Sequence, residues 1–412
     1  MKPDHLPEGW RLVEISELVE EYTERAGLDE YEVFSCSKIH GVILQKEKFK
    51  QRIASKDTER YKILHTGDFV YDPMLAWDGS IGRNQYVFSG VVSPAYVIFR
   101  SRSHRVDTDF LEAVLTSDEI VPYYRANSEG TNVRRRKLRF DAFGSIVIPL
   151  PPIDEQRRIA EVLCDADANI ARVEVQVETA QEVKRGAMHR LFTYGLAGEG
   201  APTQHTSIGE IPAGWEVKKF GTLITFAQNG LYKPESFYGR GTPIIRVDTY
   251  EGGQVIRDVP SKRIDVSNDE LTSYRVYRGD FIMNRVNGSI DIVGKTALVG
   301  NLSEPVVYES NMIRFRLDQS QIYDGFALFL LSHNTLRNQI KNQAKRGYQM
   351  SVSQTDLNSF IAPLPSLEEQ REIAAILGDH DAAIRDLRVE AARLREVKRG
   401  LMQKLLSGQV RV

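Results

Sequence analysis

Cysteine is scarce in this chain, with only Cys36 and Cys164 among 412 residues. Two thiols build neither a disulfide framework nor a cysteine-based zinc site, so an apolar core must hold the fold. Long apolar runs are missing as well. None approaches the roughly 20 residues that cross a bilayer, and the stretch from Met1 to Trp10 lacks the apolar centre of a signal peptide. Nor is there an excess of one charge: 54 Lys and Arg face 56 Asp and Glu, for a formal net charge of −2. Such a chain has no strong overall field for nucleic acid and can offer only local basic faces. The composition predicts a cytoplasmic protein with no membrane contact.

Catalytic signatures are absent too. The sequence holds no His-Glu-x-x-His, no Gly-x-Ser-x-Gly and no Asn-Pro-Pro-aromatic tetrapeptide. Its nearest approach to a phosphate loop, Gly288 to Thr296, puts five residues between the glycines where four are needed, and strand-like Ala297-Leu298-Val299 follows it. Glu182-x-Lys184 and Glu396-x-Lys398 have the spacing of a nuclease pair but sit in helical pattern with no partner acid. The expectation is a chain with no catalytic residue, no metal site and no cofactor of its own.

What the chain does have is a repeat. Pro149-Leu150-Pro151-Pro152-Ile153-Asp154-Glu155-Gln156-Arg157-Arg158-Ile159-Ala160 returns as Pro363-Leu364-Pro365-Ser366-Leu367-Glu368-Glu369-Gln370-Arg371-Glu372-Ile373-Ala374. Each copy opens a heptad-patterned stretch that closes on Val-Lys-Arg-Gly-x-Met, Val183 to Met188 and Val397 to Met402, both displaced by 214 residues. A second echo starts each half: Leu6-Pro7-Glu8-Gly9-Trp10 and Ile211-Pro212-Ala213-Gly214-Trp215. The pattern divides the chain into a mixed domain over 1–152, a helix over 153–197, a linker over 198–210, a second mixed domain over 211–365 and a helix over 366–412. The fold class is α+β: two mixed α/β domains joined by two long antiparallel coiled-coil helices, with pseudo-twofold character.

The helices carry the strongest periodic signal. A 4,3 apolar spacing runs through Ile159, Leu163, Ile170, Val173 and Val177 after Gln156, and through Ile373, Leu377, Ile384, Leu387 and Leu394 after Gln370. Lys184 and Lys398 interrupt both seams at the same place. From Ile159 to Leu191 such a helix spans roughly 48 Å. Two self-complementary seams in one chain favour pairing with each other. The alternative is a homodimeric coiled-coil scaffold that binds protein partners without DNA.

Two kinds of loop stand out. One follows a Gly-Asp-Phe strand opening in each half: Trp77, Ser80 and Arg83 after Gly67-Asp68-Phe69, and Asn284, Arg285, Asn287 and Ser289 after Gly279-Asp280-Phe281. Gly-Ser pairs let backbone approach a ligand, and Arg or Asn can read base edges bidentately. The other is cationic: Thr131, Asn132, Arg134, Arg135, Arg136 and Lys137 in the first half, and Lys345, Arg346, Tyr348 and Gln349 in the second. Crowded cations beside Asn, Gln or Tyr suit phosphate anchoring with some base contact.

The doubled Pro-Leu-Pro-x-x-x-Glu-Gln-Arg-x-Ile-Ala motif, the helix behind it and the Pro-x-Gly-Trp domain starts resemble a Type I restriction–modification specificity subunit along essentially the whole chain. The resemblance implies two target-recognition domains, each reading one half of a bipartite asymmetric sequence in double-stranded DNA. It implies helices that space the two readers and dock two methyltransferase (modification) subunits, with restriction subunits joining through them. S-adenosylmethionine and ATP/Mg would then belong to those partners. A helix of roughly 48 Å matches about 14 base pairs of duplex.

Overall fold

The computed structural model describes residues 6–48, 57–102, 104–130, 136–344 and 350–412. The chain forms two compact units, one of residues 1–175 with 388–412 and one of residues 176–387. Both boundaries fall inside the long helices, which run Ile153–Tyr194 and Leu367–Leu406.

In the first unit a four-stranded antiparallel sheet is ordered Val19–Tyr22, Val97–Ser101, Phe69–Tyr71, Ile81–Arg83. The second unit repeats that order with Ile224–Asn229, Met312–Leu317, Phe281–Asn284 and Thr296–Val299, and adds Val255–Ile256 in parallel at the edge. Alternation sorts the side chains. Phe281, Met283, Ile313 and Phe315 enter the core shared with the helix Asp324–Ser332, while Ile282 and Met312 enter a second cluster. A strand pair closes each domain, Arg11–Glu14 with Val147–Leu150 and Glu216–Lys219 with Ile361–Leu364, leading straight into a long helix. The stretch expected as a linker is instead partly ordered as a hairpin, Thr203–Thr206 with Gly209–Pro212.

Each unit contains a segment of both long helices, and within each they run antiparallel. In the first, Ile159 and Leu163 share a core with Leu405 and Leu406. In the second, Ile373 and Leu377 share one with Phe192. The lysines that interrupt the heptads are the polar members of these seams. Lys398 Nζ lies 2.5 Å from Asp167 Oδ1, and Lys184 Nζ lies 2.6 Å from Asp381 Oδ1. A shift of 214 residues maps one pair onto the other.

The doubled motif has a mechanical explanation. Gln156 is fully buried; its amide accepts from the Asp107 backbone N–H and donates to the Arg105 and Pro151 carbonyls, each at 2.8 Å. Gln370 likewise accepts from the Tyr323 N–H and donates to the Gln321 and Pro365 carbonyls. The preceding glutamates receive the domain-start indoles, Trp10 Nε1 to Glu155 and Trp215 Nε1 to Glu369. Arg411 also donates to Glu155, and its hydrogen bonds hold that carboxyl below its usual range. Motif and domain start are thus two halves of one fastening. Gln156 and Gln370, which the sequence groups with the partner-docking and coiled-coil residues of the helices, spend their amides inside their own units.

Of the remaining seam residues, Ile159, Leu163, Ile170, Val173, Ile373, Leu377 and Ile384 are buried. Val177, Leu387 and Leu394 are half-buried. Ile159, Leu163, Ile373 and Leu377 belong to the cores of their units.

Candidate nucleic-acid interface

The Gly-Asp-Phe openings are built alike. Asp68 N donates to His65 O at 3.1 Å and Asp280 N to Tyr277 O at 3.0 Å, closing a four-residue turn before each strand. Gly67 and Gly279 hold the third position at φ 85° and 88°, a left-handed conformation that favours glycine in a type II turn. The aspartate side chains accept in return from the N–H of His65 and Tyr277.

Each aspartate also anchors an arginine from the neighbouring strand against an aromatic ring. In the first unit Arg100 lies 3.1 Å from Asp68, with its guanidinium carbon 3.5 Å from the Tyr22 ring centre. In the second, Arg316 pairs with the fully buried Asp280 and sits 5.8 Å from the Phe226 ring. Sequence reasoning missed these residues; the duplicated Gly-Asp-Phe was the available signal.

At the far end of the same strands the predicted loops come together. In the first unit Leu138 N donates to Pro73 O at 2.9 Å, tying the end of the cationic stretch to the loop that follows Phe69–Tyr71. Arg136 stands 5.9 Å from the Trp77 ring, and Arg125, which sequence reasoning overlooked, donates to Trp77 O at 3.2 Å. In the second unit Val352 N donates to Arg285 O at 2.9 Å, and Val286–Asn287 pairs with Met350–Ser351. Arg337 holds the carbonyls of Val293 and Asp291, bracing the loop from behind.

The individual candidates fare unequally. Trp77 and Arg136 are half-buried and Lys137 is exposed, all at the loop cluster. Arg285, Asn287 and Ser289 are half-buried on the second loop, where the Ser289 N–H donates to Asn287 Oδ1 at 2.9 Å. Three expectations need correction. Ser80 (6% exposed), between the Ala76–Asp78 turn and the strand Ile81–Arg83, and Asn284 (1%), at the end of the strand Phe281–Asn284, both lie inside their units, so neither offers its side chain to a surface ligand. Arg83 is held through Nη2 by Asp109 and by Glu112, at 2.8 Å from the latter, so its charge is already countered inside its unit. Burial pushes the Glu112 carboxyl up, opposed by Arg83. Thr131, Asn132, Arg134, Arg135, Lys345, Arg346, Tyr348 and Gln349 lie outside the described residues.

Among the described residues no group of His, Cys, Asp and Glu is placed to hold a metal ion, and no helix is long and apolar enough to cross a membrane.

Two units of one sheet topology, each with a Gly-Asp-Phe turn and a loop tied to a later segment of the chain, define a duplicated α+β protein. The comparisons agree. The model for the Type I restriction modification DNA specificity domain matches residues 212–398. The MjaVIII specificity subunit of Methanocaldococcus jannaschii is 26% identical over 99% of this chain and 94% of its own. The EcoKI specificity subunit of Escherichia coli is 28% identical over 78% of this chain and 68% of its own. In fold, the chain is like the S subunit of a Type I system from M. genitalium, with a TM-score of 0.53 at 14% identity over 98% and 99% of the two chains. The chain is thus similar to Type I restriction–modification specificity subunits over nearly its whole length, and its second half matches the model of their DNA specificity domain.

Proposed function

We propose that the chain recognises a bipartite, asymmetric sequence in double-stranded DNA, each unit reading one half through its loop cluster. The observation that carries this is the matched pair of ties, Leu138 to Pro73 and Val352 to Arg285, which in both units join the loop after the Gly-Asp-Phe strand to a later segment of the same unit. Arg136 and Lys137 hold phosphates, together with Thr131, Asn132, Arg134, Arg135, Lys345, Arg346, Tyr348 and Gln349 of the flanking stretches. Arg285, Asn287 and Ser289 contact bases in one half-site.

The chain itself carries out no chemistry. Its long helices dock two methyltransferase subunits, and restriction subunits join through them; S-adenosylmethionine and ATP/Mg act in those partners. Val183 and Val397, displaced by 214 residues and 53% and 57% exposed, support a pair of equivalent docking faces. Co-expression with a modification subunit, followed by mapping of methylated adenines, tests the proposal. The expected result is one interrupted motif with two different halves; a continuous motif, or none, overturns it. Arg285→Ala should relax specificity in one half only, and an equal loss in both halves removes that assignment.

A further inference from the structure

The loop Asp72 to Gly79 presents a different chemistry from its counterpart in the second unit. Its protruding side chains are aliphatic, with Met74 41% and Leu75 46% exposed. Yet the loop is held stiffly. Asp72 Oδ1 accepts from the Met74 N–H at 2.9 Å, and Asp72 O accepts from the N–H groups of Leu75 and Ala76. The Trp77 indole donates to Met74 O at 2.8 Å, while Arg125 holds Trp77 O and Leu138 holds Pro73 O. Gly79, at φ 97°, ends the turn. A loop fixed by this many bonds cannot fold its aliphatic tips inward, so their exposure is built in. Arg125 and Arg136 reach Trp77 of the same loop, with Lys137 next in the chain, whereas the matched loop of the second unit offers Asn287, Gly288 and Ser289.

We propose that Met74 and Leu75 are the base-contacting residues of the first unit and that they recognise thymine methyl groups. This rests on the reading that the loop clusters face DNA. An aliphatic side chain has no hydrogen bond to give a base edge, and the one apolar feature of the major groove is the thymine C5 methyl. The cations beside the loop hold the backbone and seat the loop in the groove. Stiffness keeps the entropy lost on binding small. The two halves of the target are therefore read by opposite chemistries, apolar in one and polar in the other.

The test uses the full chain with its modification subunits and the target motif mapped as above. Duplexes in which single thymines are replaced by uracil lose only a methyl group. Wild-type binding should weaken about fourfold at one or two positions, all in the same half-site. Met74→Ala with Leu75→Ala should bind thymine and uracil duplexes alike while keeping the wild-type salt dependence, because the cations remain. The exchange Met74→Leu with Leu75→Met should keep the discrimination, which separates lost contact from lost structure. If uracil has no effect anywhere while the bipartite motif is still methylated, the thymine assignment falls and the specificity reading stands. Uracil sensitivity that survives in the double alanine variant also overturns it. A wild-type complex with no sequence preference removes both.

Discussion

Gln370 satisfies three backbone groups at once while fully buried, so its replacement is costly beyond its size. Gln370→Ala strands the Tyr323 N–H and two carbonyls, at about 1 kcal/mol or more each, and should destabilise the second unit by roughly 3 kcal/mol in thermal unfolding. Gln370→Glu keeps the acceptor but loses both donated bonds and should recover only part of this. His333 is a second sensitive point. It stacks on Phe192 at 4.5 Å, and its Nδ1 accepts from the Thr335 N–H at the start of the helix Asn334–Gln343. Burial pushes its pKa down from 6.5 to about 4, with His189 adding to the effect. The folded state therefore binds this proton less readily than the unfolded state. Its contribution is fully present above pH 6.5 and is lost as the pH falls towards about 4. His333→Asn, which caps without titrating in this range, should flatten the denaturation midpoint between those values. The Glu-Gln pair was plain in the sequence as a repeated motif. Its inward, fastening role was not, because the groups it satisfies lie about 50 residues earlier in the chain.

Among the elements, the long helices test their own pairing through Lys184 and Asp381, which are 21% and 26% exposed. Asp381→Lys sets two cations together and should destabilise the second unit, while Lys184→Asp with Asp381→Lys restores the attraction. A double-mutant cycle should return a coupling of roughly 1 kcal/mol; zero coupling would mean the pair does not form in solution. The cationic stretch answers to salt. Arg136→Ala and Lys137→Ala should each reduce the slope of log affinity against log salt by about 0.9 if each holds one phosphate. An unchanged slope removes the phosphate contact. The helices were legible because a heptad repeat is local and periodic. The hairpin over Thr203–Thr206 and Gly209–Pro212 was hidden by linker-like glycines around it.

For the molecule as a whole, each unit closes its own seam with helix segments of one chain, so the isolated protein should sediment as a 46.7 kDa monomer. A stable dimer lost on mutation of the seam would favour the coiled-coil scaffold instead. The duplicated α+β organisation followed from the sequence alone, since a 214-residue repeat of motif and helix admits few other arrangements. The Gly-Asp-Phe turns ahead of the candidate loops were legible in the same way. Only the tertiary structure decided which side chains those loops present. Packing within each unit buries Ser80 and Asn284 and distant carboxylates engage Arg83, while a web of loop hydrogen bonds holds Met74 and Leu75 out. Periodicity is written in neighbouring residues; exposure depends on what the rest of the chain brings against them.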